Sequence, residues 1–304
     1  MAIVNIENVV KTFGDHKAVN DVSFGVEGGR MFGLLGPNGA GKTTMIRMIT
    51  NIMVPDTGNI SIFGESVGPA HQSRIGYLPE ERGLYKKVKV IDQLAYFAQL
   101  KGMNRKDAVS EARRWLASLD ASDWENKKIQ ELSKGMQQKV QFISTILHKP
   151  DLLILDEPFS GFDPVNTELL KSVVLDLKAS GVTIILSTHV MEQVEKLCDD
   201  ICLINRGRKV LSGPVRDIKK SFGRDTARIE FDGDDSFLDQ LSVKYISRTK
   251  NRAEFRVPGE GSELQGILKS ALEKTNVVKF ELVEPSLHEI FIDVVSRRED
   301  ENEG

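Results

Sequence analysis

Apolar and polar positions change their period along this chain, and the changes mark out its elements. From Ile3 to Val26 and from Asn59 to Phe63, short alternating, β-branched stretches separated by Gly and Asn predict antiparallel strands. Asn104-Arg105-Lys106-Asp107 has the form of a capped helix start, and Val109, Ala112, Leu116 and Leu119 then recur at helical spacing. Asp151 to Asp156 and Val182 to Ser187 are unbroken apolar runs of strand length, the pattern of parallel strands buried on both faces. Between them Asp163 caps a predicted helix, Pro164 fits its first turn, Leu169, Leu170, Val173, Val174 and Leu177 form one face, and Gly181 ends it. Buried strands alternating with helices imply an α/β sheet.

The pattern changes between Gly213 and Gly223, where a domain boundary is expected. Beyond it, Ala227 to Phe231, Val243 to Ser247, Ala253 to Val257 and Val277 to Val283 read as strands. A short helix is expected around Phe237 to Leu241, and a longer one with Leu264, Ile267, Leu268, Ala271 and Leu272 on one face. Ser286-Leu287-His288-Glu289 is a capping box that opens a last helix with Leu287, Ile290, Phe291, Val294 and Val295 inward. The expected domains are 1–220, an α+β unit at 224–298 of split βαβ type, and an acidic, frayed tail at 299–304.

Gly36-Pro37-Asn38-Gly39-Ala40-Gly41-Lys42-Thr43 is a complete G-x-x-x-x-G-K-[ST] loop, followed by Thr44. It lies between the apolar run Met31 to Leu35 and the periodic stretch Met45, Ile46, Met48, Ile49, the strand–loop–helix setting the motif requires. Its glycines turn successive backbone N–H groups toward one point, and the helix start near Lys42 adds a positive dipole end. A triphosphate suits that cradle. Lys42 reaches its β- and γ-phosphates, and the Thr43 hydroxyl holds a bridging Mg2+. Leu152 to Leu155 then deliver Asp156 and Glu157 to a strand exit. Two carboxylates there divide the labour, Asp156 on the metal shell and Glu157 polarising the attacking water as general base.

Composition narrows the class. With no run of eighteen apolar residues, no segment spans a bilayer, and the N-terminus lacks the basic and apolar regions of a secretory signal, so a cytoplasmic location is expected. Cys198 and Cys202 form no C-x-x-C pair and read as buried thiols. Residues 222–304 carry 12 Lys and Arg against 18 Asp and Glu, which argues against nucleic acid as a partner.

Upstream of Asp156 stands Leu132-Ser133-Lys134-Gly135-Met136-Gln137, and Ser187-Thr188-His189 closes the next buried strand. In order and spacing these motifs resemble the ATP-binding cassette family, the nucleotide-binding subunits of ABC transporters, over residues 1 to about 220. The resemblance implies an α/β P-loop NTPase (ABC-type ATPase) core with antiparallel β and helical subdomains, plus a small C-terminal α+β domain. It makes the chain an ATPase with ATP and Mg2+ as cofactors. It also implies a second cassette, a homodimer, and a separate integral membrane subunit that carries the protein to the inner face of the membrane. Phe13 would stack on adenine, although its residue type leaves a core position open. Ser133 and Gly135 would contact the γ-phosphate bound to the other cassette, Asp163 would link the two sites, and His189 would contact the γ-phosphate.

Three departures stand out. Lys134-Gly135-Met136 replaces the usual Gly-Gly-Gln, Gly161 and Phe162 replace small and aliphatic residues, and Glu80 stands where a magnesium-contacting glutamine is usual. Glu80 is open between a contact to metal-bound water and a solvated loop acid. The tail, notably Glu284-Pro285-Ser286-Leu287-His288-Glu289-Ile290-Phe291, resembles an accessory domain of bacterial export cassettes, with packing, dimer support or ligand sensing all open. Lys42 and Ser133 are only 91 residues apart, which leaves no room for the coiled-coil arm of DNA-acting relatives. A soluble nucleotide-gated regulator is the alternative to a transporter ATPase.

Overall fold

The computed structural model describes residues 2–81, 83–222, 226–241, 243–257 and 262–303. Two compact units divide the chain, Met1–Gly213 and Pro214–Gly304. The first opens with β1 (Ala2–Phe13) and β2 (His16–Glu27), antiparallel and paired Val4 with Val26 and Ile6 with Phe24. The fully buried β3 (Met31–Leu35) leads through the phosphate loop into α1 (Lys42–Ile49). Next come β4 (Thr57–Ile62), β5 (Glu65–Ser66) and β6 (Ile75–Leu78). A helical stretch follows, with α2 (Val90–Leu100), α3 (Arg105–Ser118) and α4 (Lys134–Ile146). The unit closes with β7 (Leu152–Asp156), α5 (Pro164–Ala179), β8 (Thr183–Thr188), α6 (Met191–Leu197), β9 (Asp200–Asn205) and β10 (Arg208–Pro214).

Two sheets result, an outer one ordered β2-β1-β4-β5 and an inner one ordered β10-β9-β3-β8-β7-β6. In the inner sheet β9, β3, β8, β7 and β6 pair in parallel. Every residue of β3, β7 and β8 is buried, as their unbroken apolar runs require. One core joins both sheets to α1 through Val4, Ile6, Phe24, Met45, Ile46 and Ile154, and Phe24 stacks on Phe32 at 5.2 Å. A second core, with Leu94, Ala112, Leu116, Leu119 and Val140, belongs to the helical stretch. The Asn104 carboxamide accepts from Asp107 N–H at 2.9 Å and so caps α3, and Asp163 caps α5 by accepting from Asn166 N–H at 3.0 Å. Cys198 and Cys202 are buried free thiols, and burial raises both pKa values.

The second unit contains α7 (Val215–Ser221), β11 (Thr226–Gly233), β12 (Lys244–Thr249), β13 (Arg252–Arg256), α8 (Ser262–Lys274), β14 (Thr275–Val283) and α9 (Leu287–Glu303). Its sheet order β12-β13-β11-β14, antiparallel throughout, inserts β11 between β13 and β14, so β13-α8-β14 is a split βαβ unit. Phe231, Phe237 and Phe255 fill its core, and Phe231 meets Phe237 edge to face at 5.0 Å. The capping box forms, with Ser286 N–H donating to Glu289 at 2.6 Å and Glu289 N–H to the Ser286 hydroxyl at 3.2 Å. The acidic end, read from sequence as frayed from 299, continues α9 as far as Glu303, since Glu and Arg extend an already nucleated helix at little cost. Gly304 lies outside the described residues, as do parts of the expected boundary segment. Among the described residues no helix is long and apolar enough to cross a membrane.

The helical stretch is tied to the start of β6 by side chains. Lys101 Nζ donates to the carbonyls of Gln72 at 2.7 Å and Ile75 at 3.1 Å, and His148 Nε2 lies 3.1 Å from the same Ile75 oxygen. A carbonyl only accepts, so Nε2 carries the proton and Nδ1 is left buried without a partner among the described residues. Burial, reinforced by the charge of Lys101, lowers the His148 pKa to about 4 from 6.5. The unfolded chain therefore binds this proton near pH 6.5 and the folded chain near 4, so the neutral imidazole's contribution to stability is complete above that window and declines as pH falls through it. Urea denaturation followed by the fluorescence of Trp115 and Trp124 should show about 2 kcal/mol of stability lost to this group between pH 7.5 and 5. His148→Gln should flatten the slope by that amount, and an unchanged slope contradicts the assignment.

Candidate functional site

Three strand exits of the parallel sheet build the site. After β3 the chain turns at Gly36, whose φ of +150° and lack of Cβ let it pass Ile204, because a Cβ there would meet the Ile204 carbonyl oxygen at 2.1 Å. Gly41 does the same at the entry to α1, where its φ is +108° and a Cβ would lie 2.3 Å from the Ala18 oxygen. Between these turns the loop wraps Lys42, 7% exposed, whose ammonium donates to the carbonyls of Gly36 at 2.8 Å and Pro37 at 3.1 Å. Burial lowers the Lys42 pKa, opposed by the negative charges of Glu157, Asp156 and Glu80. These carbonyl contacts are weak substitutes for an anion, so a phosphate offers the ammonium a stronger, charge-assisted partner.

Asp156 ends β7, pairs in register with Ser187 on β8, and is 2% exposed. Its two carboxylate oxygens accept from different exits, Oδ1 from the Ser187 hydroxyl at 2.7 Å and Oδ2 from the Thr43 hydroxyl at 3.1 Å. Burial raises its pKa, and the Ser187 and Thr43 hydrogen bonds oppose that rise. Glu157 follows with φ of +48°, a left-handed conformation that costs a non-glycine residue about 1–2 kcal/mol and turns its side chain away from the strand. Its N–H donates to the Ser187 carbonyl at 2.9 Å. Its carboxylate is held on both oxygens. Oε2 accepts from the Thr188 hydroxyl at 3.0 Å, and Oε1 accepts from His189 N–H at 3.0 Å and lies 2.7 Å from His189 Nδ1.

A cavity of about 520 Å³ opens above these exits. Asn38, Gly39, Ala40, Gly41, Lys42, Thr43, Thr44, Glu80, Asp156 and Glu157 line it together with Phe13, 47% exposed. An exposed aromatic face at the rim removes the core position that the sequence left open for Phe13. Gly36 and Pro37 lie beneath, holding Lys42, and His189 stands behind Glu157. Ser133, Gly135 and Asp163 are not among the lining residues. Ser133 is exposed and caps α4, its hydroxyl accepting from Met136 N–H at 3.3 Å, and Gly135 sits in the first turn of that helix. Asp163 is engaged at the start of α5, where the Asn166 N–H and side chain hold its carboxyl below the usual range.

The sequence motif singles out His189 and assigns no role to Ser187 and Thr188, although these hydroxyls anchor Asp156 and Glu157. Two polar residues ending an otherwise apolar strand beside β7 were the available signal. His16 and Ala18 also line the cavity, and only the fold of the β1–β2 hairpin brings them there. Among the described residues, no group of three or more His, Cys, Asp or Glu could hold a metal ion alone. Thr43 and the buried Asp156 nevertheless form a hard oxygen pair facing the phosphate cradle, which fits a magnesium ion that takes its other ligands from water and phosphate.

The profile described as "ABC transporter" matches residues 19–160, and that of the "ATP-binding protein DrrA1-3-like, C-terminal domain" matches residues 213–295. The chain is 49% identical over 294 residues to the ABC transporter ATP-binding protein YhaQ of Bacillus subtilis, itself uncharacterized, covering 96% of this chain and 98% of that one. It is 30% identical over 307 residues to the linearmycin resistance ATP-binding protein LnrL of the same organism, covering 97% and 99%. It is 36% identical over 248 residues to the Nod factor export ATP-binding protein I of Burkholderia lata, covering 80% and 81%. Among solved structures, an ATP-binding subunit of an ABC transporter superposes with a TM-score of 0.68 at 32% identity, covering 73% of this chain and 93% of that one. A nucleotide-free ATP-binding cassette gives 0.62 at 26% identity, with 70% and 92% covered. With the phosphate loop, Asp156 and Glu157 converging on one cavity, the chain belongs to the ATP-binding subunits of ABC transporters, a family of ATPases.

Proposed function

We propose that this chain energises an export system, as the names of the linearmycin-resistance and Nod-factor relatives suggest. Two copies close head to tail on two ATP molecules, and an integral membrane subunit, which brings the protein to the cytoplasmic face of the membrane, follows that motion. The ATPase domain, expected at 1–220, is the first unit, and the accessory domain, expected at 224–298, is the unit that begins at Pro214 and includes α7. The observation that carries the reading is that Lys42, Thr43, Asp156 and Glu157 share one cavity while Ser133 and Gly135 do not line it.

Each role follows from chemistry. Phe13 offers its face to adenine. The N–H groups of the 36–44 loop and the Lys42 ammonium receive the β- and γ-phosphates, displacing the Gly36 and Pro37 carbonyls from the lysine. Thr43 and Asp156 would hold Mg2+, with Glu80 reaching it through water. That ion, when bound, offsets negative charge on the phosphate oxygens. Glu157 takes the proton of the attacking water, held in place by Thr188 and His189, and His189 turns its ring toward the γ-phosphate. Ser133 and the backbone around Gly135, from the second copy, close the cavity from the other side, and Asp163 lies on the path between the two sites.

Two measurements test these roles. Glu157→Gln should lower ATP turnover roughly 10²-fold while ATP affinity changes less than about twofold, and unchanged turnover removes Glu157 as the base. Ser133→Ala should lower turnover about tenfold or more and leave ATP binding by the isolated chain unaltered. A matching loss of that binding would place Ser133 in its own chain's pocket.

A further inference from the structure

Helix α4 extends two glutamine side chains, one turn apart, to the loops that carry Glu80 and Glu157. Gln138 Nε2 donates to the Ser160 carbonyl at 2.6 Å, in the loop that follows Glu157. Gln141 Nε2 donates to the Glu81 carbonyl at 3.0 Å and lies 3.5 Å from the Pro79 carbonyl. Those two carbonyls bracket Glu80, which is exposed and lines the nucleotide cavity. Gln141 itself is 5% exposed, and a small crevice brings it together with Gln138, Glu80, Asp156 and Glu157. The N-cap of the same helix is Ser133.

From this geometry we propose that Gln141 is a positioning residue for Glu80, holding its loop in register with the helix that begins at Ser133. The proposal rests on the reading of Glu80 as a contact to metal-bound water. A shift of α4 as a second copy engages Ser133 then carries the Glu80 carboxylate with it, so closure and metal contact become one event. A glutamine suits the task because its amide donates to carbonyls while adding no charge beside three carboxylates. A lysine there could pair with Glu80 and draw it out of the cavity. An apolar residue would fill the space but leave the two carbonyls without their donor.

Gln141→Met keeps length and volume and removes the donor, and Gln141→Glu keeps the shape but turns an acceptor toward the two carbonyls. Both are read for melting temperature, for ATP turnover against Mg2+, and for Mn2+ affinity by spin resonance with ATP present in a Glu157→Gln background that does not hydrolyse it. Gln141→Met is expected to melt within a few degrees of the parent, to lower kcat and Mn2+ affinity each about fivefold, and to raise the Mg2+ needed for half-maximal turnover. Gln141→Glu should lose at least as much. In a Glu80→Ala background Gln141→Met should change nothing further, because its effect passes through Glu80. Wild-type kcat and Mn2+ affinity in Gln141→Met, beside a slowed Glu80→Ala, overturn the positioning role and leave Glu80 in place. No effect of Glu80→Ala on either readout overturns the Glu80 reading and Gln141's role with it. An equal additional loss in the Glu80→Ala background, or an effect confined to melting temperature, reduces Gln141 to a structural residue and also overturns the proposal.

Discussion

The site depends on one buried carboxylate shared between two strand exits. Asp156 is 2% exposed, and it is tolerated there because Ser187 and Thr43 each donate a hydroxyl to it. An ionised carboxylate left without such partners at this depth would cost several kcal/mol. Those two bonds are also geometric, since they fix the ends of β7 and β8 against the first turn of α1 and so place the phosphate cradle opposite Glu157. The parallel sheet makes the arrangement possible by bringing successive exits to one edge, with β3, β8 and β7 as neighbours. Lys42 completes the charge pattern from beneath, its ammonium held by two carbonyls while the charges of Glu157, Asp156 and Glu80 oppose the lowering of its pKa by burial.

Glu157 is held by a second, separate set of contacts, so that Asp156 and Glu157 are positioned independently. Its positive φ turns it off the strand line, and Thr188 and His189 secure both oxygens. Ser133 caps α4 within its own chain and stays exposed. One chain therefore presents a cavity furnished on the phosphate-loop side and a helix N-terminus that no part of its own cavity uses. In a head-to-tail pair each would meet the other's complement, the physical basis for reading the chain as half of a catalytic unit.

Much of this was legible in the sequence because it is encoded locally. The spacing from Gly36 to Thr43, the apolar run into Asp156, and the caps at Asn104, Asp163 and Ser286 are short-range patterns, and each formed the element it predicts. Antiparallel and parallel strands were told apart by alternation against unbroken apolar runs. What stayed hidden depends on tertiary juxtaposition. Ser187 and Thr188 acquire roles only when β8 lies beside β7, and Lys101, His148 and Gln141 clamp β6 and its loop across 26, 73 and about 60 residues of chain. Phe13 was undecided because an aromatic ending a strand serves a core or a rim equally well, and its exposure settles which. The acidic end was read as frayed from its charge, whereas helix propensity and a nucleated α9 carry it on.

The claim that one chain holds only part of a working site is tested most directly by specific ATPase activity as a function of protein concentration, with association followed in parallel by sedimentation. Activity per chain is expected to rise with concentration and to track the ATP-dependent paired fraction, approaching zero where only single chains sediment. Constant activity per chain down to concentrations at which the protein is wholly monomeric would contradict the account.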